Sequence, residues 1–328
     1  MITKIFSTTE DDLREAGRIL KNGGLVAFPT ETVYGLGADA LNPEAAKKVY
    51  LAKGRPSDNP MIVHIQERGE IYSLTDTVSD DVKVLMESFW PGPLTIIVKA
   101  KDIIPRVTTG GLSTVAVRMP SSEIARKVIR YSGCPIAAPS ANLSGKPSPT
   151  KGSHCVDDMN GRIDGIILGP DCEVGIESTV IDMTGDSPEI LRPGIITREE
   201  ISLALNKEVK YDRALFEKPG EDFSPKAPGM KYKHYAPKAE MILFKGEKDK
   251  VRQAISLREK EETEKGKKVS VILFDDNRTA AHDLFMKLRQ CDLDGTDLIL
   301  CEALTEEGLG FSVMNRMLKS ASYNVVEI

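Results

Sequence analysis

Leu25-Val-Ala-Phe28-Pro29-Thr30-Glu31-Thr32-Val33-Tyr34-Gly35-Leu36-Gly37-Ala38-Asp39 is the stretch from which the fold can be read. Its apolar opening, residues 25–28, fits a buried strand, and Pro29 ends that strand because proline fixes φ and has no N–H for a ladder. The residues after Pro29 combine three hydroxyls (Thr30, Thr32, Tyr34), one carboxylate (Glu31) and two glycines (Gly35, Gly37). A polar, glycine-bearing loop at a strand end is where α/β sheets bind small molecules. A surface turn can carry the same letters, so both readings stand at this point.

Outward from that stretch, strand-like and helix-like segments alternate. A helical period over residues 11–21 stops at Gly23-Gly24, and Pro43 at a first helical position opens a helix to Lys53. Strands are expected at residues 25–28, 61–65, 94–99, 114–118, 135–138, 165–168, 179–183 and 189–192, with helices at 80–89 and 121–131. Residues 178–192 read as a hairpin around Gly185-Asp186-Ser187-Pro188, which makes the sheet mixed. The fold class is therefore α/β: a twisted mixed sheet with flanking helices over residues 1–205, then a small doubly wound α/β domain over 241–328. Between them, residues 206–240 are charged and proline-rich (Pro219, Pro225, Pro228, Pro237) and read as an extended linker. Within it, Ala227-Pro-Gly-Met-Lys-Tyr-Lys-His-Tyr-Ala-Pro237 is denser in aromatic and basic groups than a spacer requires.

The bulk numbers narrow the function. The 328 residues are 41% hydrophobic and 28% charged, ordinary for a globular protein, and long enough for two cores. A net charge of −5 demotes non-specific nucleic-acid binding, so phosphate affinity has to come from locally clustered cations. Five scattered cysteines with no CxxC pair read as reduced thiols, and no apolar run approaches membrane-spanning length, so a cytoplasmic location is expected.

Three further stretches carry chemistry. Lys53-Gly-Arg55-Pro-Ser-Asp-Asn59-Pro60 sets an ammonium and a planar guanidinium two positions apart, a clamp suited to a phosphate chain, although a solvated charge pair at a helix end has the same letters. Pro139-Ser140-Ala-Asn142-Leu-Ser144-Gly-Lys146-Pro-Ser148 offers hydroxyl, amide and ammonium groups after another strand. Arg118 and Arg192 each close an apolar strand, and Glu177-Ser178-Thr179 precedes a third. There is no Walker loop, HExxH or GxSxG, and Gly35-Leu-Gly37-Ala-Asp-Ala40 is not followed at once by a helix, which rules out a dinucleotide fingerprint there.

Together these motifs resemble the threonylcarbamoyl-AMP synthase family in its long form, a YrdC-like domain followed by a Rossmann-like C-terminal domain. The resemblance rests on the PTETVYGLG loop, Lys53-Gly-Arg55 with Ser140-Ala-Asn142, Trp90-Pro-Gly-Pro-Leu94, the Arg118 strand, Glu177-Ser-Thr179, Leu191-Arg-Pro-Gly194 and His234-Tyr-Ala-Pro237. It implies a synthase that makes threonylcarbamoyl-AMP and pyrophosphate from L-threonine, bicarbonate and ATP, with Mg2+ accompanying the nucleotide. The product would be passed to a tRNA threonylcarbamoyl transferase. By the same resemblance, Lys53, Arg55, Ser140 and Asn142 form the catalytic set, and Thr32, His64, Arg118, Ala138 and Ser178 hold L-threonine. Arg55, Asn59, Thr114, Ser140, Ser148 and Arg192 hold ATP, and Tyr235 closes over it from a linker that contacts the active site. A double-stranded RNA-binding module without turnover is the alternative. The carbamoyl-transfer domain of hydrogenase maturation ranks lower, because its usual zinc-finger cysteines are missing.

Overall fold

The computed structural model describes residues 1–216, 225–228, 230 and 234–328. Pro219, Gly229, Lys231, Tyr232 and Lys233 of the expected linker lie outside the described residues. The chain separates into two units, one of Met1–Ser144 with Ser148–Lys231 and one of Gly145–Pro147 with Tyr232–Ile328.

The strands of the first unit are β1 (Lys4–Phe6), β2 (Val26–Phe28), β3 (Gly35–Asp39), β4 (Ile62–His64), β5 (Leu94–Lys99), β6 (Thr114–Arg118), β7 (Ile136–Ala137), β8 (Gly165–Ile167), β9 (Thr179–Asp182), β10 (Glu189–Arg192) and β11 (Lys210–Tyr211). They form one sheet in the order β1-β8-β2-β3-β7-β4-β6-β5-β9-β10-β11. It is mixed: β4 with β6 and β5 with β9 run parallel, while β6 with β5 and the expected hairpin β9–β10 run antiparallel. The central strands are buried on both faces, which is why they read as unbroken apolar runs. Side-chain alternation nevertheless separates the faces. Val63, Ile96, Val117 and Ile181 point into the main core, while Ile62, Ile97, Ala116 and Val180 form a second cluster with Leu191, Ala227 and Met230.

Local chemistry fixes the elements that aim the site. Asn42 accepts from the backbone N–H groups of Glu44 and Ala45 and so caps the helix Pro43–Lys53. Gly54, at φ 62°, ends that helix in the left-handed conformation, which leaves Lys53 in the last turn. The helices Glu10–Lys21 and Glu123–Ser132 pack so closely that a Cβ on Gly17 would lie 2.5 Å from that of Tyr131.

Two expectations about secondary structure change. Residues 35–39, read as the end of a loop, form β3 antiparallel to β2. A Cβ on Gly37 would sit 2.7 Å from the Phe28 ring, so this glycine permits packing within the sheet rather than approach of a ligand. In the stretch read as linker, Lys210–Tyr211 pairs with β10, and Ala227 and Met230 are buried against the sheet. Such short pieces have no apolar period to reveal them. The helices Gly152–Met159 and Arg198–Leu205 also went unread; the second carries a capping box between Thr197 and Glu200.

The second unit holds β12 (Glu240–Lys245), β13 (Val269–Ile272), β14 (Leu298–Glu302) and β15 (Val325–Glu327), all parallel, in the order β13-β14-β12-β15. The helices Lys248–Glu264, Asn277–Asp294 and Gly308–Ser320 connect them. This is a small doubly wound domain, with β15 as its unexpected edge. Among the described residues no helix is long and apolar enough to cross a membrane.

Candidate functional site

Backbone hydrogen bonds lace the opening stretch to the serine-rich one. Gly35 bridges Ser140, Leu36 N donates to the Pro139 carbonyl (2.8 Å), and Ala141 N donates to that of Tyr34 (2.8 Å). Lys53 reaches this seam from its helix: Nζ donates to the carbonyl oxygens of Ser140 and Asn142. Ser140 Oγ in turn donates to Asn142 Oδ1 at 2.5 Å. Lys53 is 3% exposed, so a solvated charge pair does not describe it. Arg55 Nη2 donates to the carbonyls of Pro60 (3.0 Å) and Asn59 (3.3 Å), which folds the clamp loop onto the entrance to β4.

A polar row crosses the sheet beside this seam. His64 and Arg118 are register partners on β4 and β6, and the β5–β6 register that pairs Ile96 with Val117 brings Thr95 level with Arg118. Ser178 stands two positions before Val180, the β9 partner of Thr95, and therefore on the same face. The Arg118 guanidinium is fixed by Glu31 Oε1 (Nη2, 2.6 Å) and Thr32 Oγ1 (Nη1, 2.9 Å). Burial alone would raise the Glu31 pKa, but the adjoining guanidinium outweighs it and holds the carboxyl below its ordinary range. His64 is fully buried, and that burial, with the Arg118 charge, pushes its imidazole down to about 3, so it is neutral at physiological pH. Arg192 donates from Nε to the Ser178 carbonyl (3.0 Å) and from Nη2 to Ser178 Oγ (3.1 Å). Ser148 Oγ donates to Glu177 Oε1 at 2.5 Å.

Thr32, His64, Arg118 and Ser178 thus stand together, and Ala138 joins them through its N–H on the Ile62 carbonyl (2.9 Å). Thr114 lies at the other end of β6 from Arg118, about 13 Å along the strand, level with the Asn59–Pro60 turn. Tyr235 belongs to the second unit, where its ring stacks on Phe285 at 5.0 Å between centroids. Tyr34, counted among the loop hydroxyls, is committed elsewhere: its hydroxyl donates to the Gly169 carbonyl at 3.0 Å. Glu31 as the counter-charge of Arg118, Glu177 as the partner of Ser148, and Thr95 were not assigned from the sequence. A threonine inside the otherwise apolar run of β5 was the available signal for the last.

A mixed α/β sheet whose strand ends and loops bury the Arg118 and Arg192 guanidiniums, the Lys53 ammonium and several hydroxyls has the architecture of the α/β ligand-binding class. A family model described as "Telomere recombination" matches residues 18–194, and one described as "Threonylcarbamoyl-AMP synthase, C-terminal domain" matches 196–322. The threonylcarbamoyl-AMP synthase of Pyrococcus abyssi is 46% identical over 96% of each chain, and that of Bacillus subtilis is 41% identical over 99% of this chain and 97% of its own. The crystal structure of P. abyssi Sua5 complexed with L-threonine superposes with a TM-score of 0.95, 45% identity and full coverage of both chains. The chain belongs to the threonylcarbamoyl-AMP synthase family.

Proposed function

We infer that this protein makes threonylcarbamoyl-AMP and pyrophosphate from L-threonine, bicarbonate and ATP. The observation that carries the reading is end-to-end similarity, above 40% identity, to proteins named for that synthesis, together with a TM-score of 0.95 to a relative holding L-threonine. The ammonium of threonine gives up a proton to solvent, and the free amine forms a carbamate with bicarbonate, releasing water. A carbamate oxygen then attacks the α-phosphorus of ATP while the bond to pyrophosphate breaks. No covalent enzyme intermediate is required, so the side chains act by positioning and charge neutralisation.

In this reading Arg118 receives the threonine carboxylate, with Glu31 and Thr32 holding its guanidinium square to the ligand. Thr32, His64, Ala138 and Ser178 surround the rest of the amino acid. Neutral His64 adds no charge against the ammonium. Lys53, Arg55, Ser140 and Asn142 neutralise and align the reacting phosphate, and Asn59, Thr114, Ser148 and Arg192 take the remainder of the nucleotide. The 13 Å between the ends of β6, at about 3.3 Å per residue, suits two ligands lying end to end. For Tyr235 the family resemblance alone supports a nucleotide contact. Mg2+ would enter on the phosphates as part of that substrate: Glu31 holds Arg118 and Glu177 accepts from Ser148, a donor set that fits an ion carried by ATP. The product would pass to a tRNA threonylcarbamoyl transferase.

Mass spectrometry of the products from ATP, bicarbonate and L-threonine, with L-serine in a parallel reaction, tests the reading. A threonylcarbamoyl-AMP ion with matching pyrophosphate is expected. Salt-sensitive RNA binding without nucleotide turnover would replace this reading with the RNA-binding one.

A further inference from the structure

We propose that Thr95 is a positioning residue for the amino-acid pocket: its hydroxyl donates to Ser178 Oγ and thereby turns the Ser178 proton toward an oxygen of the bound amino acid. The inference rests on the reading that Ser178 touches L-threonine. Thr95 Oγ1 and Ser178 Oγ are 2.8 Å apart, and distance alone leaves the donor open.

Counting protons decides it. Thr95 is 0% exposed, and Ser178 Oγ is its side chain's one hydrogen-bond partner among the described residues. A buried hydroxyl proton left without an acceptor is costly, so the Thr95 proton goes to Ser178. Arg192 Nη2 donates to the same oxygen, and a guanidinium can only donate. Both lone pairs of Ser178 Oγ are then taken. Its own proton has no acceptor among the described residues; Ser178 is itself 0% exposed, so in the proposed reading it is the bound amino acid that reaches that proton. Two donors behind one hydroxyl also polarise it, which strengthens its donation onward.

The substrate atom facing Ser178 is therefore an acceptor oxygen, not the ammonium. Thr95 completes the row that begins with His64 and Arg118, and it does so from a strand whose neighbouring positions are aliphatic.

The test compares Thr95→Val, which keeps the shape and removes the hydroxyl, with Thr95→Ser, Ser178→Ala and the Thr95→Val/Ser178→Ala double variant, by steady-state kinetics in each substrate. Thr95→Val is expected to raise KM for L-threonine about fivefold. KM for ATP should change by less than about twofold, and Thr95→Ser should restore the wild-type value. On the Ser178→Ala background the valine substitution should add less than about twofold, because the hydroxyl it orients is gone. An unchanged threonine KM in Thr95→Val, equal rises for both substrates, or the same rise with and without Ser178 would overturn the inference. Should the valine variant fail to fold, Thr95→Ala against Thr95→Ser makes the same comparison. Wild-type protein that forms no threonylcarbamoyl-AMP would overturn the proposed function and this inference with it.

Discussion

Replacing Glu31 by glutamine keeps the side-chain shape and removes one charge from a buried pair. The Arg118–Glu31 contact is 2.6 Å, and the two side chains are only 5% and 6% exposed, so solvent cannot replace the lost carboxylate. Removing one member of such a pair costs about 3–5 kcal/mol, and the amide oxygen, which still accepts a hydrogen bond, brings the expectation to the lower end. For a unit of this size that is a fall in Tm of about 6–12 °C. The stranded guanidinium then gains most from an incoming carboxylate, so saturating L-threonine should raise the Tm of Glu31→Gln by more degrees than that of the wild type. The pH dependence has a definite sign. Glu31 has a lower pKa folded than unfolded, so its contribution is full above the ordinary glutamate pKa and is lost as pH falls through the folded value. The stability gap between the two proteins should accordingly narrow below about pH 4. Differential scanning calorimetry with and without L-threonine, at pH 7 and in acid, measures all three. A Tm unchanged at pH 7, or a gap that widens in acid, would refute the reasoning.

Arg55→Ala should lower turnover at least about tenfold with little loss of stability, because the Asn59 and Pro60 carbonyls its guanidinium holds belong to its own loop; pyrophosphate release and urea denaturation check the two halves. His64, depressed to about 3 when folded, should make the wild type lose stability as pH falls from its unfolded value toward that figure, and His64→Gln should flatten this slope in urea titrations at successive pH values. Trimming the chain before Asn206 removes β11, Ala227 and Met230 from the sheet; this should cost about 2–4 kcal/mol and weaken synthesis, and a trimmed protein with wild-type urea midpoint and activity would refute the packing role.

How far the letters reached depends on range. The helix at Pro43 was readable because a proline at the first helical position acts on its immediate neighbours, and the Asn42 cap and Gly54 stop that the structure adds work over the same short range. The strands at 94–99 and 114–118 were readable because burial on both faces demands continuous apolar sequence. Register is a different matter: nothing near Thr95 announces that it stands beside Ser178, since that pairing is set by β5 and β9 meeting across distant sequence. Glu31 shows the same limit. Its letter marked a polar loop, whereas its role as the anion of Arg118 depends on a residue 87 positions away. Residues 210–211 went unread because a strand that short has no period at all.

Where β6 lies in the sheet, the pleat gives it two audiences. Arg118 stands in the polar row while its neighbour Val117 faces the oily interior, and the same division holds for Thr95 against Ile96 and His64 against Val63. Any drift in the packing of that interior is therefore felt one peptide unit from the polar row.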